Sequence, residues 1–481
     1  MSNLAGWKNF LEQYYARVFL GVIIFFVLSF SISTLTTKPR IWIDETVTLE
    51  LARGFSRLGI LDIQIAPDKF SGFPQFLQST GYPLTIALAL IFKFFGYNFT
   101  AVRIFMLLLM VIALLAVYFF GKSLFGKNKS LLSVILIASF ASFYGSGRTA
   151  VGEIPGFIFL LSAIYFWLNK SAYYWSGLFL GLAIVTKPAV FLLAFPAIIF
   201  AFFLEGEIFF QRLLKIILGM APAAIGWIFL VPQNPFLKDI WFGLFNFYRN
   251  PYSSEITANV TNNLLNFLHS PTLIYFGVLF ILILFGWYYA EDKKIKSLYN
   301  FVVFYCLLAF IYYLRSPGWL RYILIAELLI FILLPWTLSE IFLRFGKFIS
   351  KLKINNEQAV IITSGFLIVI QFARLFTGAQ IFHSVSEIKT ASYINDNFSQ
   401  KSVGILDSPK LSVLLRTDKR YQAITLAGIP AIGNNSFLIN HFPDVLVFAS
   451  GQEFSEAEII ALKNYYSKAV RIDGYEIYGK F

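Results

Sequence analysis

The chain has 481 residues, of which 58% are hydrophobic, 19% aromatic and only 14% charged. Soluble proteins carry about a quarter charged residues, so this composition excludes an ordinary soluble globule and indicates a membrane protein. The net charge of +13 does not indicate a nucleic-acid partner. The residues from 381 onward hold ten basic and ten acidic side chains, so the whole surplus lies in the apolar part, where it fits membrane topology and anionic-lipid contact.

Eleven apolar runs approach the length that a bilayer-spanning helix needs. They lie near residues 18–36, 104–120, 131–147, 154–169, 176–186, 188–204, 213–231, 272–290, 297–314, 319–341 and 358–379. Two of them are short and flank Thr186-Lys187-Pro188. Because Pro188 lacks a backbone N–H and disfavours helix at Lys187, we expect a pair of short or tilted helices, with one kinked helix as the alternative.

Basic residues set the predicted orientation. With eleven spans, fifteen Lys and Arg residues fall in six short segments on one side, while the four short turns on the other side and the exit from the last span hold only five. The positive-inside rule therefore predicts a multi-pass plasma-membrane protein with a cytoplasmic amino terminus. Its first span is expected to be a retained anchor rather than a cleaved signal peptide. Three long segments then lie outside, at 37–103, 232–271 and 380–481.

The last hundred residues lack the long apolar runs of the rest of the chain and show alternating helix and strand patterns instead. Ser384–Phe398 and Phe454–Ala469 have helical patterns, while strands are predicted at Ser402–Leu406, Asp444–Phe448 and Val470–Tyr478. We therefore predict a mainly α polytopic membrane protein with about eleven transmembrane helices and a small C-terminal extracytoplasmic α/β domain. The predicted domains are a transmembrane catalytic domain at 1–379 and the α/β domain at 380–481.

Two adjacent carboxylates, Asp44 and Glu45, open the first outer loop. Apolar residues then recur at helical spacing, at Val47, Leu51, Phe55 and Leu58. This pattern predicts a surface-lying amphipathic helix with Asp44 at its N-cap. Capping and interaction with the positive end of the helix are one interpretation of the two acids, and a catalytic site is the other.

A second outer segment, 147–153, carries Arg148 and Glu153 at the end of a span, where an unpaired charge is costly and usually functional. Pairing between these two side chains is the alternative. Further cations are predicted on the same face, namely Lys187, Arg315 and Arg321. They suit a phosphate-bearing lipid headgroup, although snorkelling toward the interface would also explain any one of them.

Other chemical features are sparse. The single cysteine, Cys306, cannot form an intramolecular disulfide, and His269, His383 and His441 are too far apart in sequence to suggest a zinc site. We therefore predict no metal site from these residues. Glu327, inside the tenth span, is a functional candidate by its location, with a protonated packing role as the alternative.

In chain order, these motifs resemble those of the GT-C superfamily of membrane glycosyltransferases, which includes protein O-mannosyltransferases and the aminoarabinose transferase of lipid A (glycosyltransferase families 39 and 83). Asp44-Glu45-Thr46 with Glu50 and Arg53 resembles the acidic motif and following helix of the first outer loop. Glu153 falls where the aminoarabinose transferases have a second acid. Further matching pieces are Gly81-Tyr82-Pro83-Leu84, Arg103, Thr186-Lys187 and Arg321-Tyr322. Val47 and Ser79-Thr80-Gly81 depart from the aminoarabinose branch.

The resemblance implies transfer of a sugar from a polyprenyl-phosphate donor to an extracytoplasmic lipid, protein or glycan, with inversion at the anomeric carbon. It implies that Asp44 is the general base and that Glu45 and Glu153 orient hydroxyl groups. The cations expected to bind the donor phosphate are Arg53, Arg148, Lys187, Arg315 and Arg321. A Mg or Mn ion could replace one of them, although the spacing does not require a metal.

Aromatic residues offer ring faces to a sugar or a prenyl chain. The candidates are Tyr82, Trp241, Tyr248 and Trp319, with packing or interfacial anchoring as the alternative. Two other function classes remain open at this point. A transporter or lipid flippase is favoured chiefly by Glu327, and a receptor or scaffold is favoured by the C-terminal domain.

Overall fold

The computed structural model describes residues 2–72, 80–206, 209–230, 241, 255–346, 354–378, 384–423, 442–452, 454 and 456–480. The helices are α1 (Ser2–Ile32), α2 (Ile43–Leu58), α3 (Tyr82–Phe95), α4 (Phe99–Phe125), α5 (Lys127–Ser139), α6 (Ala141–Gly147), α7 (Glu153–Lys170), α8 (Tyr173–Thr186), α9 (Pro188–Phe191), α10 (Ala194–Glu205), α11 (Phe209–Leu230), α12 (Ile256–Leu265), α13 (Pro271–Tyr289), α14 (Lys293–Arg315), α15 (Leu324–Arg344), α16 (Asn356–Thr377), α17 (Val385–Asn397) and α18 (Glu456–Tyr465). The strands are β1 (Gln64–Ala66), β2 (Lys69–Phe70), β3 (Val403–Leu406), β4 (Arg420–Ala423), β5 (Val445–Ala449), β6 (Lys468–Ile472) and β7 (Tyr475–Gly479).

Apolar helices make up most of the molecule. Among the described residues, eight segments are long and apolar enough to cross a bilayer, and a ninth is added if the bent pair α5 and α6 is one span. The helices α3 and α8 are shorter apolar helices. The mainly helical, polytopic class predicted from the sequence is confirmed, while the number of about eleven spans stays a prediction.

The predicted break beside Pro188 is confirmed. Helix α8 ends at Thr186 and α9 begins at Pro188, with Lys187 between them in a non-helical conformation. Proline fits at the first position of a helix because the N–H that it lacks would have no partner there. The residue before it is pushed out of the helical region. Lys187 is therefore held at the joint between two helices.

Helix α2 forms where the periodicity predicts it, but two details differ. Its N-cap is Trp42, without a side-chain cap, so Asp44 lies in the first turn instead of at the cap. The helix is also not surface-lying, because residues 45–54 are buried. Leu49 and Ala52 share an apolar cluster with Leu88 of α3 and with Val413 from the C-terminal segment.

The C-terminal residues form a five-stranded sheet in the order β4-β3-β5-β7-β6. Strand β3 is parallel to β4 and β5, whereas β7 is antiparallel to β5 and β6. Helix α17 covers one face and α18 the other, as the alternation of side chains along the strands requires.

The predicted small α/β region is confirmed, with two differences. The run 470–478 is a hairpin that turns at Asp473-Gly474, where both residues have positive φ, as a tight hairpin needs. Strand β4 was missed, because it is only four residues long and its buried side chains include the polar residues Arg420 and Gln422. The predicted domain boundary at 379/380 lies outside the described residues, so the boundary stays a prediction.

Two glycines allow the chain to pack closely against the end of α8. A Cβ atom on Gly81 would lie 1.6 Å from the carbonyl oxygen of Val185, and one on Gly152 would lie 2.5 Å from that of Thr186. The Gly81 N–H also donates a hydrogen bond to the Thr186 carbonyl at 2.8 Å. These contacts bring the first long loop and the turn before α7 to the joint that holds Lys187.

Gly81→Ala is therefore expected to lower the free energy of unfolding by about 3 kcal/mol, since the added methyl collides with backbone that cannot move away easily. Thermal unfolding of the purified protein in detergent measures the loss. Gly145→Ala in α6 is the control, because a Cβ atom there meets nothing within 4 Å. Equal melting temperatures for the two variants would contradict this account of the packing.

Candidate active site at the amino end of α2

Three ion pairs join four side chains that are distant in sequence. Asp44 Oδ2 lies 2.5 Å from Arg321 Nη1 and 3.7 Å from Lys187 Nζ. The same Lys187 nitrogen lies 3.7 Å from Glu153 Oε1. Lys187 therefore bridges two carboxylates that come from different parts of the chain. We call Asp44, Glu153, Lys187 and Arg321 the ionic cluster.

Local structure explains why each member lies where it does. Asp44 is in the first turn of α2 and Glu153 is the first residue of α7, and the positive end of a helix favours a carboxylate at both positions. Lys187 follows the last residue of α8, where the negative end of that helix favours a cation. Arg321 lies in the 3₁₀ turn Leu320–Tyr322 that precedes α15.

Exposure divides the ionic cluster into an open half and a closed half. The side chains of Asp44 and Arg321 are 24% and 21% exposed, while those of Lys187 and Glu153 are only 3% and 1% exposed. Glu153 Oε2 has no hydrogen-bond partner among the described residues. A ligand can therefore reach Asp44 and Arg321 first and meet Lys187 and Glu153 behind them.

The charge state of Asp44 follows from its neighbours. Burial raises the pKa of Asp44, but the positive charges of Arg321 and Lys187 together outweigh it, so this pKa lies below its usual value. The carboxylate is ionised at neutral pH and is a weak base as long as both cations face it.

Aromatic rings hold the Arg321 guanidinium. Its central carbon lies 4.6 Å from the ring centroid of Trp319 and 5.5 Å from that of Tyr322, which are cation–π distances. Trp319 is 42% exposed. The structure thus brings the predicted Trp319 beside the open half of the ionic cluster.

Glu45 is in a different environment from Asp44. Its side chain is fully buried, with Oε2 2.7 Å from Arg103 Nη2 and Oε1 accepting a hydrogen bond from the Ala150 N–H at 3.0 Å. Because the side chain is fully buried and both oxygens already have partners, Glu45 is not presented to a substrate hydroxyl as the sequence suggested. It instead ties α2 to α4 and to the turn that leads to Glu153.

The sequence motifs included Arg103 without giving it a role. An arginine inside an apolar helix indicates a buried anionic partner, and here that partner is Glu45. The predicted span 104–120 began just after Arg103, whereas the helix begins at Phe99, so the sequence pattern did not place this arginine inside an apolar helix.

Arg53 lies on the opposite side of α2 from Asp44, because nine residues correspond to about 13.5 Å and two and a half turns. Its Nε lies 2.8 Å from Glu50 Oε2, and its Nη1 donates to the Asp418 carbonyl. Glu50 also pairs with Arg420 at 3.1 Å, both side chains being almost fully buried. Arg53 therefore helps to dock the C-terminal sheet onto α2 and is not placed to bind the donor phosphate.

Arg148 and Arg315 are not among the cations that pair with Asp44. Arg148 is buried and donates to the Ser31 carbonyl and the Thr34 hydroxyl. The sequence alternative of an Arg148–Glu153 pair is not observed, since Glu153 pairs with Lys187. Arg315 is the last residue of α14, and its carbonyl accepts a hydrogen bond from Asn259.

The remaining candidates lie in other surroundings. Glu327 is buried in α15 and has Arg374 as a charged neighbour. Tyr82 donates to the Ala223 carbonyl at 3.3 Å, and the Trp241 ring lies 6.0 Å from that of Trp227. Tyr248 lies outside the described residues.

Metal ligands are few in the part of the chain that the structure describes, where no group of three or more His, Cys, Asp or Glu side chains could hold an ion. Asp44 and Glu153 both face the Lys187 ammonium. A divalent ion bound by these two acids would have to displace it.

Comparison with known proteins gives the fold. Residues 83–232 match the family model described as dolichyl-phosphate-mannose-protein mannosyltransferase. The structure is similar to that of ArnT from Cupriavidus metallidurans bound to undecaprenyl phosphate, with a TM-score of 0.64 and 12% sequence identity. The match covers 97% of this chain and 98% of the ArnT chain. The chain has the GT-C fold. The resemblance predicted from the motifs is thereby confirmed at the level of the fold.

A second GT-C structure is also similar. It is the oligosaccharyltransferase AglB from Archaeoglobus fulgidus, in complex with an inhibitory peptide and a dolichol-phosphate. The matched region covers 98% of this chain and 75% of the AglB chain. The TM-score is 0.58 and the identity 11%. No curated protein sequence matches the chain.

The buried Glu45–Arg103 pair gives a test of how the site is positioned. Glu45→Gln or Arg103→Met alone should each cost about 3 kcal/mol of stability, because each leaves an uncompensated buried charge. The double variant should cost clearly less than the sum of the two. Thermal unfolding of the four proteins measures the coupling, and strictly additive losses would show that the two side chains do not act as a pair.

Proposed function

We propose that the protein is an integral-membrane glycosyltransferase that transfers a sugar from a polyprenyl-phosphate donor to an extracytoplasmic acceptor. One observation carries the proposal: Asp44 and Arg321 form the accessible half of an ionic cluster completed by Lys187 and Glu153. A carboxylate that can accept a proton thus lies beside two cations that can accept a phosphate.

The cations supply the site for the leaving group. Breaking the bond between the anomeric carbon and the phosphate oxygen leaves negative charge on the lipid phosphate, and preorganised cations stabilise such a charge in a partly water-excluded site. Arg321 offers two parallel N–H donors and Lys187 a compact charge. In this arrangement the donor phosphate binds between Arg321 and Lys187.

Asp44 is the proposed general base. The acceptor hydroxyl gives its proton to Asp44 and attacks the anomeric carbon, and the bond to the phosphate breaks in the same displacement. A single displacement from the side opposite the phosphate inverts the anomeric configuration. Asp44 becomes a stronger base when the phosphate engages Arg321 and Lys187, since the field that lowers its pKa is then shared.

Glu153 has a supporting role in this proposal. Its Oε1 faces Lys187 while its Oε2 has no hydrogen-bond partner among the described residues. A free carboxylate oxygen can accept a hydrogen bond from a sugar or acceptor hydroxyl. Trp319, held against Arg321, offers a ring face beside the same opening.

The comparisons support the class of donor. Undecaprenyl phosphate is bound in the similar ArnT structure, and a dolichol-phosphate together with a peptide in that of AglB. We infer that a polyprenyl phosphate is the lipid part of the donor here. We also infer a plasma-membrane location with the amino terminus in the cytoplasm, which places the ionic cluster and the proposed domain 380–481 outside.

The direct test measures release of lipid phosphate from labelled polyprenyl-phosphate sugars by the purified protein. Asp44→Asn should lower turnover about 10²- to 10⁴-fold, the contribution of a general base, without loss of folded protein. Asp68→Asn in the same loop is the matched control, since Asp68 is exposed. Full turnover by Asp44→Asn would remove the base assignment, and lipid movement without bond cleavage would favour a transporter.

Arg321 should also control the pH dependence of turnover. Because its charge lowers the pKa of Asp44, Arg321→Gln should raise that pKa and move the acidic limb of kcat/KM to higher pH. It should also lower kcat about 10²-fold at pH 7 through lost phosphate stabilisation. Arg321→Lys keeps the charge and should leave the limb near its original pH. An unmoved limb in Arg321→Gln would show that Asp44 does not titrate in catalysis.

A further inference from the structure

A second group of cations lies apart from those of the ionic cluster. It surrounds a small cavity of about 90 Å³ between the end of α1, the end of α16 and the turn that joins α6 to α7. Lining residues include the cations Lys38 and Arg148, the hydroxyl side chains Ser33 and Thr34, and the rings Phe30 and Phe376. Its volume suits a group of a few heavy atoms.

Arg148 is the unusual member of this group. It is fully buried, and Nη1 donates to the Ser31 carbonyl at 3.3 Å and to Thr34 Oγ1 at 2.9 Å. Its Nε and Nη2 have no hydrogen-bond partner among the described residues. A buried guanidinium with unused donors is costly unless an anion accepts from them.

The described residues that line the cavity do not supply that anion. They include no carboxylate, and Lys38 adds a second positive charge. Arg103 is close enough to repel Arg148, and its own charge is already matched by Glu45. Two uncompensated cations and two hydroxyl groups form a suitable environment for a phosphate, which accepts several charge-assisted hydrogen bonds.

The two ends of one short turn face different neighbours. Arg148, at its beginning, contacts the end of α1, whereas Glu153, at its end, pairs with Lys187 in the ionic cluster. Between them, Ala150 is held by Glu45. The cavity of Arg148 is therefore a separate location from the proposed site of sugar transfer.

The position of the cavity indicates how a phosphate reaches it. In the candidate spans of α1 and α16, only 22% and 28% of the residues are buried within the protein, so both helices lie at the periphery of the helical region. Phe376, which lines the cavity, is 65% exposed. A ligand with a hydrocarbon chain can therefore lie along these helices while its headgroup enters the cavity.

We propose that Arg148 and Lys38 form a binding site for the phosphate headgroup of a membrane lipid, separate from the ionic cluster. This site does not depend on the proposed sugar transfer. The shared chemistry is a phosphate with at least one unshielded negative charge, and the lipid chain distinguishes this ligand from free phosphate.

The test is a lipid titration of the full-length protein in neutral detergent, followed by thermal unfolding and by native mass spectrometry. The probes are phosphatidic acid, phosphatidylcholine with the same acyl chains, and inorganic phosphate. Phosphatidic acid should raise the melting temperature of the wild type, and Arg148→Met or Lys38→Met should weaken its binding about tenfold or more. Lys93→Met, an exposed cation at the end of α3, is the matched control and should bind like the wild type.

Three outcomes would count against the proposal. Wild-type affinity in both Arg148→Met and Lys38→Met would overturn it, and Lys38→Met keeps the test decisive if Arg148→Met fails to fold, since Lys38 is only half-buried. Equal effects of phosphatidylcholine and phosphatidic acid would show nonspecific lipid binding. Equal protection by inorganic phosphate and phosphatidic acid would show that the lipid chain plays no part.

Discussion

The Lys187 ammonium, held between Asp44 and Glu153, is the interaction on which the rest of the site depends. A lysine that is almost fully buried is tolerated only when anions compensate it, and here two carboxylates do so from different helices. The break at Pro188 places the ammonium at the joint of α8 and α9. Gly81 and Gly152 then let the flanking segments approach this joint closely enough to bring the acids to it.

Helix α2 carries three carboxylates that have three different environments. Asp44 is partly exposed and faces Arg321, Glu45 is buried against Arg103, and Glu50 is buried against the C-terminal sheet. The second and third fix the helix on two sides, so the first is presented in a defined orientation. Such preorganisation is what a catalytic carboxylate requires.

The C-terminal sheet is therefore connected to the site, although none of the ionic cluster comes from it. Arg420 of β4 reaches Glu50 on α2, and its guanidinium lies 3.7 Å from the ring centroid of Tyr97. Burial raises the pKa of Glu50, but the positive charges of Arg420 and Arg53 lower it by a larger amount. The pKa of Glu50 therefore lies below its usual value. The attraction that docks the sheet is thus complete at neutral pH and weakens as the pH falls through this pKa.

Local sequence patterns predicted much of this architecture. Hydrophobic runs predicted the membrane helices, Pro188 predicted the break between α8 and α9, and helical spacing predicted α2. Charged residues next to the ends of predicted spans also indicated all four members of the ionic cluster as candidates. Partner choice could not be predicted in the same way, because Arg321 and Asp44 are 277 positions apart and one chain offers several equivalent cations. For that reason Arg53 and Arg148 were assigned from the sequence to the donor phosphate. Glu45 was assigned to the substrate, because the burial of Glu45 depends on contacts with Arg103 and Ala150 that the sequence does not reveal.

The most direct test of the central claim is an experimental structure of the protein with a polyprenyl phosphate bound, determined by cryo-electron microscopy in a lipid nanodisc. The account predicts phosphate oxygens about 3 Å from Lys187 Nζ and from the Arg321 guanidinium, with the carboxylate of Asp44 turned toward an open acceptor path. A phosphate bound elsewhere, with the Asp44–Arg321 and Lys187–Glu153 pairs intact, would contradict it.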